Sequence, residues 1–144
     1  MKSTEWKPIS DGVIPDDAFF AGSNPNSPLF VGRAYHGGDL LPGNVSLSNK
    51  VCYVPWQGKE YEKTEYEVLT GNNYKWVPYL TKAILVNAVP GGMTTDGTTL
   101  YIGRTTYNNT LTLGKVYPYT GLIYIPSSGL EYTFTQYDIL VFKS

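Results

Sequence analysis

Phe30-Val31-Gly32-Arg33 and Tyr101-Ile102-Gly103-Arg104 are one word written twice, seventy-one positions apart. The same shift carries Gly43-Asn44-Val45 onto Gly114-Lys115-Val116 and Tyr53-Val54-Pro55 onto Tyr124-Ile125-Pro126. It also carries Glu60 onto Glu131, and Tyr66-Glu67-Val68-Leu69 onto Tyr137-Asp138-Ile139-Leu140. Upstream, Trp6-Lys7-Pro8 returns as Trp76-Val77-Pro78 at a shift of seventy. The one-residue difference falls between Gly22 and Phe30, in a loop, where length changes are tolerated. A register held from the first tryptophan almost to the C-terminus marks a duplicated unit, one copy over 1–71 and the second over 72–144. Whatever pocket one copy makes, the other can make too.

The repeated words also decide the fold class. They are short runs rich in Tyr, Val, Ile, Leu and Thr, the residues that suit a pleated, half-buried surface. Leu29–Tyr35, Lys50–Pro55, Tyr66–Thr70, Thr99–Thr106, Gly121–Pro126 and Tyr132–Phe142 read as strands. Fifteen glycines and ten prolines punctuate them, as in Asn24-Pro25-Asn26-Ser27-Pro28, Pro90-Gly91-Gly92 and Ser127-Ser128-Gly129. Asp96-Gly97 ahead of Leu100-Tyr101 is a hairpin signal. No stretch of helical length has a 3.6-residue apolar period. The expectation is an all-β chain of about ten short antiparallel strands. A copy of about seventy residues buries too little of its own surface to be secure alone. The linker Gly71-Asn72-Asn73-Tyr74-Lys75 is short, so the two pseudo-symmetric copies should share one core.

Composition excludes several classes. Eleven Lys and Arg against twelve Asp and Glu give a net charge of −1, with no basic run, so no nucleic-acid partner is expected. Cys52 is the only cysteine and His36 the only histidine, which leaves no metal-ligand constellation and no internal disulfide. No cofactor is expected: Gly38-Asp39-Leu40-Leu41-Pro42-Gly43-Asn44 has phosphate-loop glycine spacing but lacks the Lys-Ser/Thr that contacts phosphate. No membrane span and no leader with an apolar core are expected, giving a cytoplasmic protein for which non-classical release stays open.

Individual residues read mostly as structural. His36 aligns with Tyr107 and reads as a turn or surface residue; Cys52 aligns with Ile123 and reads as a small buried apolar group. Arg33 and Arg104 read as arginines that satisfy buried carbonyls. Glu60 and Glu131 would serve a glycosidase only if two carboxyls met in one cleft, and nothing in the sequence pairs them, so no catalytic residue is assigned. What stays polar lies between the strands: Asn24, Asn26, Asp39 and Asn44 in the first copy, Thr94, Asp96 and Lys115 in the second. Hydrogen-bonding groups beside the walls that thirteen tyrosines and three tryptophans can supply are what a sugar site requires.

The repeated words resemble the DM9 repeat. The resemblance rests on Ile14-Pro15-Asp16-Asp17-Ala18, Ala21-Gly22, Leu29-Phe30-Val31-Gly32-Arg33-Ala34, Gly38-Asp39-Leu40-Leu41-Pro42-Gly43, Gly58-Lys59-Glu60 and Tyr66-Glu67-Val68-Leu69. The second copy carries it more loosely, through Asn87-Ala88, Leu100 to Arg104, Gly114-Lys115-Val116 and Tyr137 to Leu140. Chains with two such repeats are similar to a calcium-independent, mannose-specific lectin of bivalves. The resemblance implies a non-enzymatic homodimer that recognises mannose-type glycans, in innate pattern recognition. The repeat also occurs fused to pore-forming modules, and no such module is expected within this chain. The sugar-binding Asp and Lys of that lectin fall on Asn24 and Asn44, both departures from its pattern. In the second copy the lysine is kept as Lys115, and the Asp position is Thr94, with Asp96 two residues on. The implied carbohydrate-binding set is Asn24, Asp39, Asn44, Asp96 and Lys115, with the second copy the better preserved. The rival is an interaction module that binds another protein through the same loops.

Overall fold

The computed structural model describes residues 2–144. Seven strands come from the first copy: β1 (Glu5–Ile9), β2 (Phe20–Asn24), β3 (Ser27–His36), β4 (Asp39–Ser46), β5 (Val51–Trp56), β6 (Lys59–Lys63) and β7 (Tyr66–Thr70). Seven come from the second: β8 (Tyr74–Pro78), β9 (Pro90–Met93), β10 (Thr99–Tyr107), β11 (Thr110–Tyr117), β12 (Leu122–Ser127), β13 (Leu130–Phe134) and β14 (Asp138–Phe142). A short 3-10 helix over Lys82–Asn87 has no counterpart in the first half.

The hydrogen-bonded order is β1-β7-β3-β4-β5-β6 followed by β13-β12-β11-β10-β14-β8. Each strand's repeat partner stands at the mirrored place, so the order reads the same from either end. The halves meet where β6 pairs β13 through Lys59 and Leu130, and again where β9 bridges to β4 through Met93 and Leu40. These two junctions close β4, β5, β6, β13, β12, β11, β10 and β9 into an antiparallel barrel. The outermost strands β1 and β8 carry Pro8 and Pro78, which have no N–H to offer a further strand.

The fold has more strands than the roughly ten expected. Tyr132–Phe142 is two strands, β13 and β14, parted at Thr135-Gln136-Tyr137. β1, β2, β4, β8, β9 and β11 were hidden because each contains Pro, Gly or Asn, residues that read as turn formers, and β6 because it is mostly charged. Inside a sheet the neighbouring strands decide their conformation instead. The Asp96-Gly97 turn does join β9 to β10, with Gly97 at φ +89°.

The repeated glycines set how tightly the barrel closes. Gly32 pairs with Gly43 across β3–β4, and Gly103 with Gly114 across β10–β11. A Cβ on Gly43 would lie 2.1 Å from the carbonyl oxygen of Tyr53, and one on Gly114 would lie 2.1 Å from that of Tyr124. No side chain fits there.

The repeated arginines lock the halves together. Arg33 Nε donates to Glu67 Oε1 at 2.8 Å, its guanidinium lies 4.0 Å over the Trp6 ring, and Nη1 makes a long contact to Gly91 O of β9. Arg104 repeats the device with Asp138 at 3.3 Å and Trp76 at 4.6 Å, and its Nη1 donates to Ala21 O of β2 at 2.9 Å. Each half therefore satisfies a carbonyl of the other. The central core is shared in the same way: Phe19, Ala21, Leu29, Val31 and Leu69 pack with Tyr74, Val89, Ile102, Leu113 and Leu140. Cys52 sits wholly buried beside Val45, and burial pushes its thiol well above the usual range.

Candidate functional site: a depression on the seam

Where β5 turns into β6 at Gln57-Gly58, Trp56 is left at the rim of the seam between the halves. Its Nε1 donates to Asp39 Oδ2 at 3.2 Å, and Asp39 Oδ1 accepts from the backbone N of Thr95 at 2.9 Å. Asp39 thus ties the β3–β4 tip, the indole and the other half's β9–β10 turn into one rigid corner. Opposite this corner stand Lys115 of β11, Tyr124 of β12 and Tyr117. Together they line a depression of about 220 Å³, with Thr94 at its edge.

Lys115 is the cation of this depression. Its Nζ donates to Pro55 O at 2.9 Å, lies 3.1 Å from Glu131 Oε2, and stands 5.5 Å from the Tyr124 ring centroid. Lysine and glutamate side chains are 12% and 10% exposed, so the charges meet where water screens them little. The approach to Oε2 is an ion contact without hydrogen-bond alignment, and that oxygen finds no donor. Oε1 of Glu131 accepts from Gly58 N at 3.0 Å. Glu60 mirrors this by accepting from Gly129 N at 3.1 Å. Each glutamate pins the turn of the opposite half, which is a structural task for both.

The five residues expected to bind sugar do not gather in one place. Asp39 and Lys115 line the seam depression from opposite halves. Asp96 stands one step back and does not line it. Its carboxylate is taken up by its own turn, accepting from Thr94 Oγ1 and, at 3.0 Å, from Thr98 Oγ1. Those bonds, Thr94 first, hold its pKa below the usual carboxylate value. Asp96 therefore shapes the Thr94 turn.

Asn24 and Asn44 belong to the equivalent position in the other half of the seam. Asn24 ends β2 opposite Ser27, and Asn44 sits in β4 between Val31 and Tyr53. The repeat shift turns Lys115 into Asn44, Asp39 into Thr110 and Trp56 into Ser127. Cation, carboxylate and indole are all lost there. Asn44 Oδ1 is buried without a protein partner, and Glu60, facing no lysine, has its carboxyl pushed up, first by burial.

Trp56, Tyr117 and Tyr124 were not singled out from the sequence. Tyr124 lay in a repeated word beside its partner Tyr53, but the depression is built from both halves, and no spacing along one copy brings Trp56 to Lys115. His36 also differs from expectation. It ends β3 half-buried, stacked on Tyr61 with ring centroids 3.8 Å apart, edge-on to Trp56, and 2.8 Å from Lys63 Nζ. Burial, and then the Lys63 charge, hold its pKa below the ordinary imidazole value. Among the described residues no three of His, Cys, Asp or Glu are placed to share a metal ion. No helix among them is long and apolar enough to cross a membrane.

The model of the DM9 repeat family matches residues 24–134. Natterin-3 of Thalassophryne nattereri is 32% identical over 73 residues, 51% of this chain and 18% of that protein. Natterin-4 of the same species is 35% identical over 68 residues, 47% of this chain and 16% of that protein. The aligned segments are thus under a fifth of either natterin. The nematode sperm cell motility protein MFP2B superposes over the whole chain with a TM-score of 0.73 at 14% identity, and this chain covers 46% of it. That likeness is one of fold.

Proposed function

This chain belongs to the DM9 repeat family, and from that premise we propose that it is a non-enzymatic, calcium-independent lectin for mannose or mannose-containing glycans. The observation that supports this most is the seam depression. A buried-stem lysine, a fixed carboxylate and two aromatic walls converge there, as recognition of a polyhydroxylated ring requires. Lys115 donates to sugar oxygens, Asp39 accepts through lone pairs its two internal bonds leave over, and Trp56 or Tyr124 covers the C–H face. Direct contacts of this kind need no metal bridge. Glu60 and Glu131 have structural bonds, which supports a reading without catalysis.

A homodimer would present two such depressions and raise avidity on clustered glycans. A role in innate pattern recognition fits the family resemblance. One observation favours the protein-interaction reading instead: the equivalent position at Asn24 and Asn44 has lost cation, carboxylate and indole. A glycan array with and without EDTA, followed by titration calorimetry on the best hit, separates the two. Chelator-insensitive mannoside binding that Lys115→Ala abolishes is the expected result. A blank array, or binding indifferent to Lys115→Ala, would overturn the assignment.

A further inference from the structure

Beyond the seam depression, a larger cleft opens around Arg33. Two lobes of about 430 and 460 Å³ meet along Arg33, Tyr35 and Leu40, each of a size that takes a small ligand. The first lobe, between β1, β3 and β7, offers Ser10, Glu65 and Glu67. The second, between the β3–β4 tip and β9, offers the hydroxyls of Thr4, Thr94, Thr95 and Thr99 beside Met93. Between them the guanidinium of Arg33 lies over Trp6 and is fixed by Glu67, so its donors are already oriented. Tyr35 is 69% exposed at the junction of the lobes, with Met93 47% exposed nearby.

The chemistry narrows the ligand class. Glu67 neutralises Arg33 and Glu65 leaves one carboxylate over, which disfavours a phosphate or a carboxylated sugar. The rest of the polar lining is hydroxyl groups and an arginine fork, set among an exposed ring and apolar groups such as Ile9, Leu40 and Met93, which suits neutral hydroxyls and a C–H face. The second half supplies an internal control. Its equivalent cleft of about 400 Å³, around Arg104 and Asp138, has Thr106 for Tyr35, Leu80 for Ser10 and Gln136 for Glu65. The scaffold is kept there, while the Tyr35 ring and the free carboxylate are gone and Tyr79 stands in place of Ile9.

We propose that the Arg33–Tyr35 cleft is a second carbohydrate site, which takes a neutral oligosaccharide spanning both lobes. It uses none of Lys115, Asp39 or Trp56 and shares only the Thr94 turn with the seam depression, so Arg33, Tyr35, Ser10 and Thr99 report on it separately. The test is amide and arginine Nε–H chemical-shift mapping on the full chain. The probes are a linear mannotetraose, a cellotetraose and an N-acetylchitotetraose, each raised to about 10 mM, ten times a 1 mM Kd. At least one probe should shift Ser10, Tyr35, Thr99 and the Arg33 Nε–H, none of which lines the seam depression, and should still do so in Lys115→Ala. Tyr35→Ala, a change at an exposed side chain, should weaken that response about tenfold, and Thr106→Ala should leave it unchanged. Shifts confined to Lys115 and the Trp56 indole would overturn this proposal while keeping the seam lectin. Shifts confined to the Arg33 cleft would uphold it and remove the seam assignment. No shift at the cleft with any probe, or a response there indifferent to Tyr35→Ala, would overturn it.

Discussion

The two halves of this barrel share a backbone and differ in chemistry. Both keep the paired glycines, the arginine clamp on tryptophan and the glutamate that pins the opposite turn. Only the second has a lysine beside its glutamate, and only the first has Trp56 and Asp39 at its hairpin tips. The seam depression draws on these unshared residues from both sides. The two halves thus form a depression that neither contains alone, while the mirrored position holds Asn24, Asn44, Thr110 and Ser127. The lesson is that register and side-chain chemistry are separable. Steric necessity fixes the backbone in both copies, and polar residues at the rim are free to diverge.

The sharpest way to break this comparison is at the features held to be equivalent. Gly43→Ala and Gly114→Ala should each cost upwards of about 3 kcal/mol, because the new methyl group meets a carbonyl oxygen rather than a movable side chain. Urea melts of both variants check it. A large loss from one and a small loss from the other would show that the barrel is less symmetric than its strand order.

The glutamates should respond oppositely. Glu131→Gln leaves Lys115 buried without a counter-charge and should cost about 3 kcal/mol. Glu60→Gln should be neutral or stabilising near neutral pH, since the amide oxygen can keep the Gly129 bond and no lysine is stranded. The sign with pH follows from burial, which raises the Glu60 pKa above its unfolded value. The stability gained by its protonated form is present in acid and lost as pH rises through the folded pKa. The advantage of Glu60→Gln over the native chain should therefore grow with pH across that range, as denaturant melts at several pH values would record. Asn44→Lys should bring the Glu60 pKa down, measurable by carboxyl NMR titration, and an unmoved Glu60 would mean the two sides of the seam differ in more than this residue.

The smallest contrast is between the tyrosines that begin the last repeated word. Tyr137 Oη donates to Gly121 O at 2.8 Å, whereas Tyr66 Oη is buried with no protein partner. Tyr137→Phe should cost about 1 kcal/mol and Tyr66→Phe close to nothing or a slight gain. Thermal melts of the pair distinguish them, and equal losses would place a hidden partner on Tyr66.

How much of this was legible in the chain varies by element. The strands β3, β5, β7, β10 and β12 could be read because Val, Ile, Leu and Tyr recur in short runs between glycines. β4 could not, because Asp39, Pro42, Gly43 and Asn44 carry turn preferences that pairing with β3 and β5 overrides. The repeated Gly-x-Val word placed Lys115 opposite Asn44, and only the family resemblance gave that position a role. That the Asp96 carboxylate bonds its own turn was not legible, because a turn residue of this kind looks, in sequence, like one with its side chain free.

By itself the sequence determined the fold class, the duplication and the family, since strand propensity and a repeat period are local properties that survive without coordinates. Only the tertiary structure decided which polar residues meet. Asp39 and Lys115 are seventy-six positions apart and belong to different copies. Closure of the barrel at Leu40–Met93 and Lys59–Leu130 sets them on one seam. Pairing between distant strands is a collective outcome of core packing, so the site became visible only once the two halves had been folded into one another.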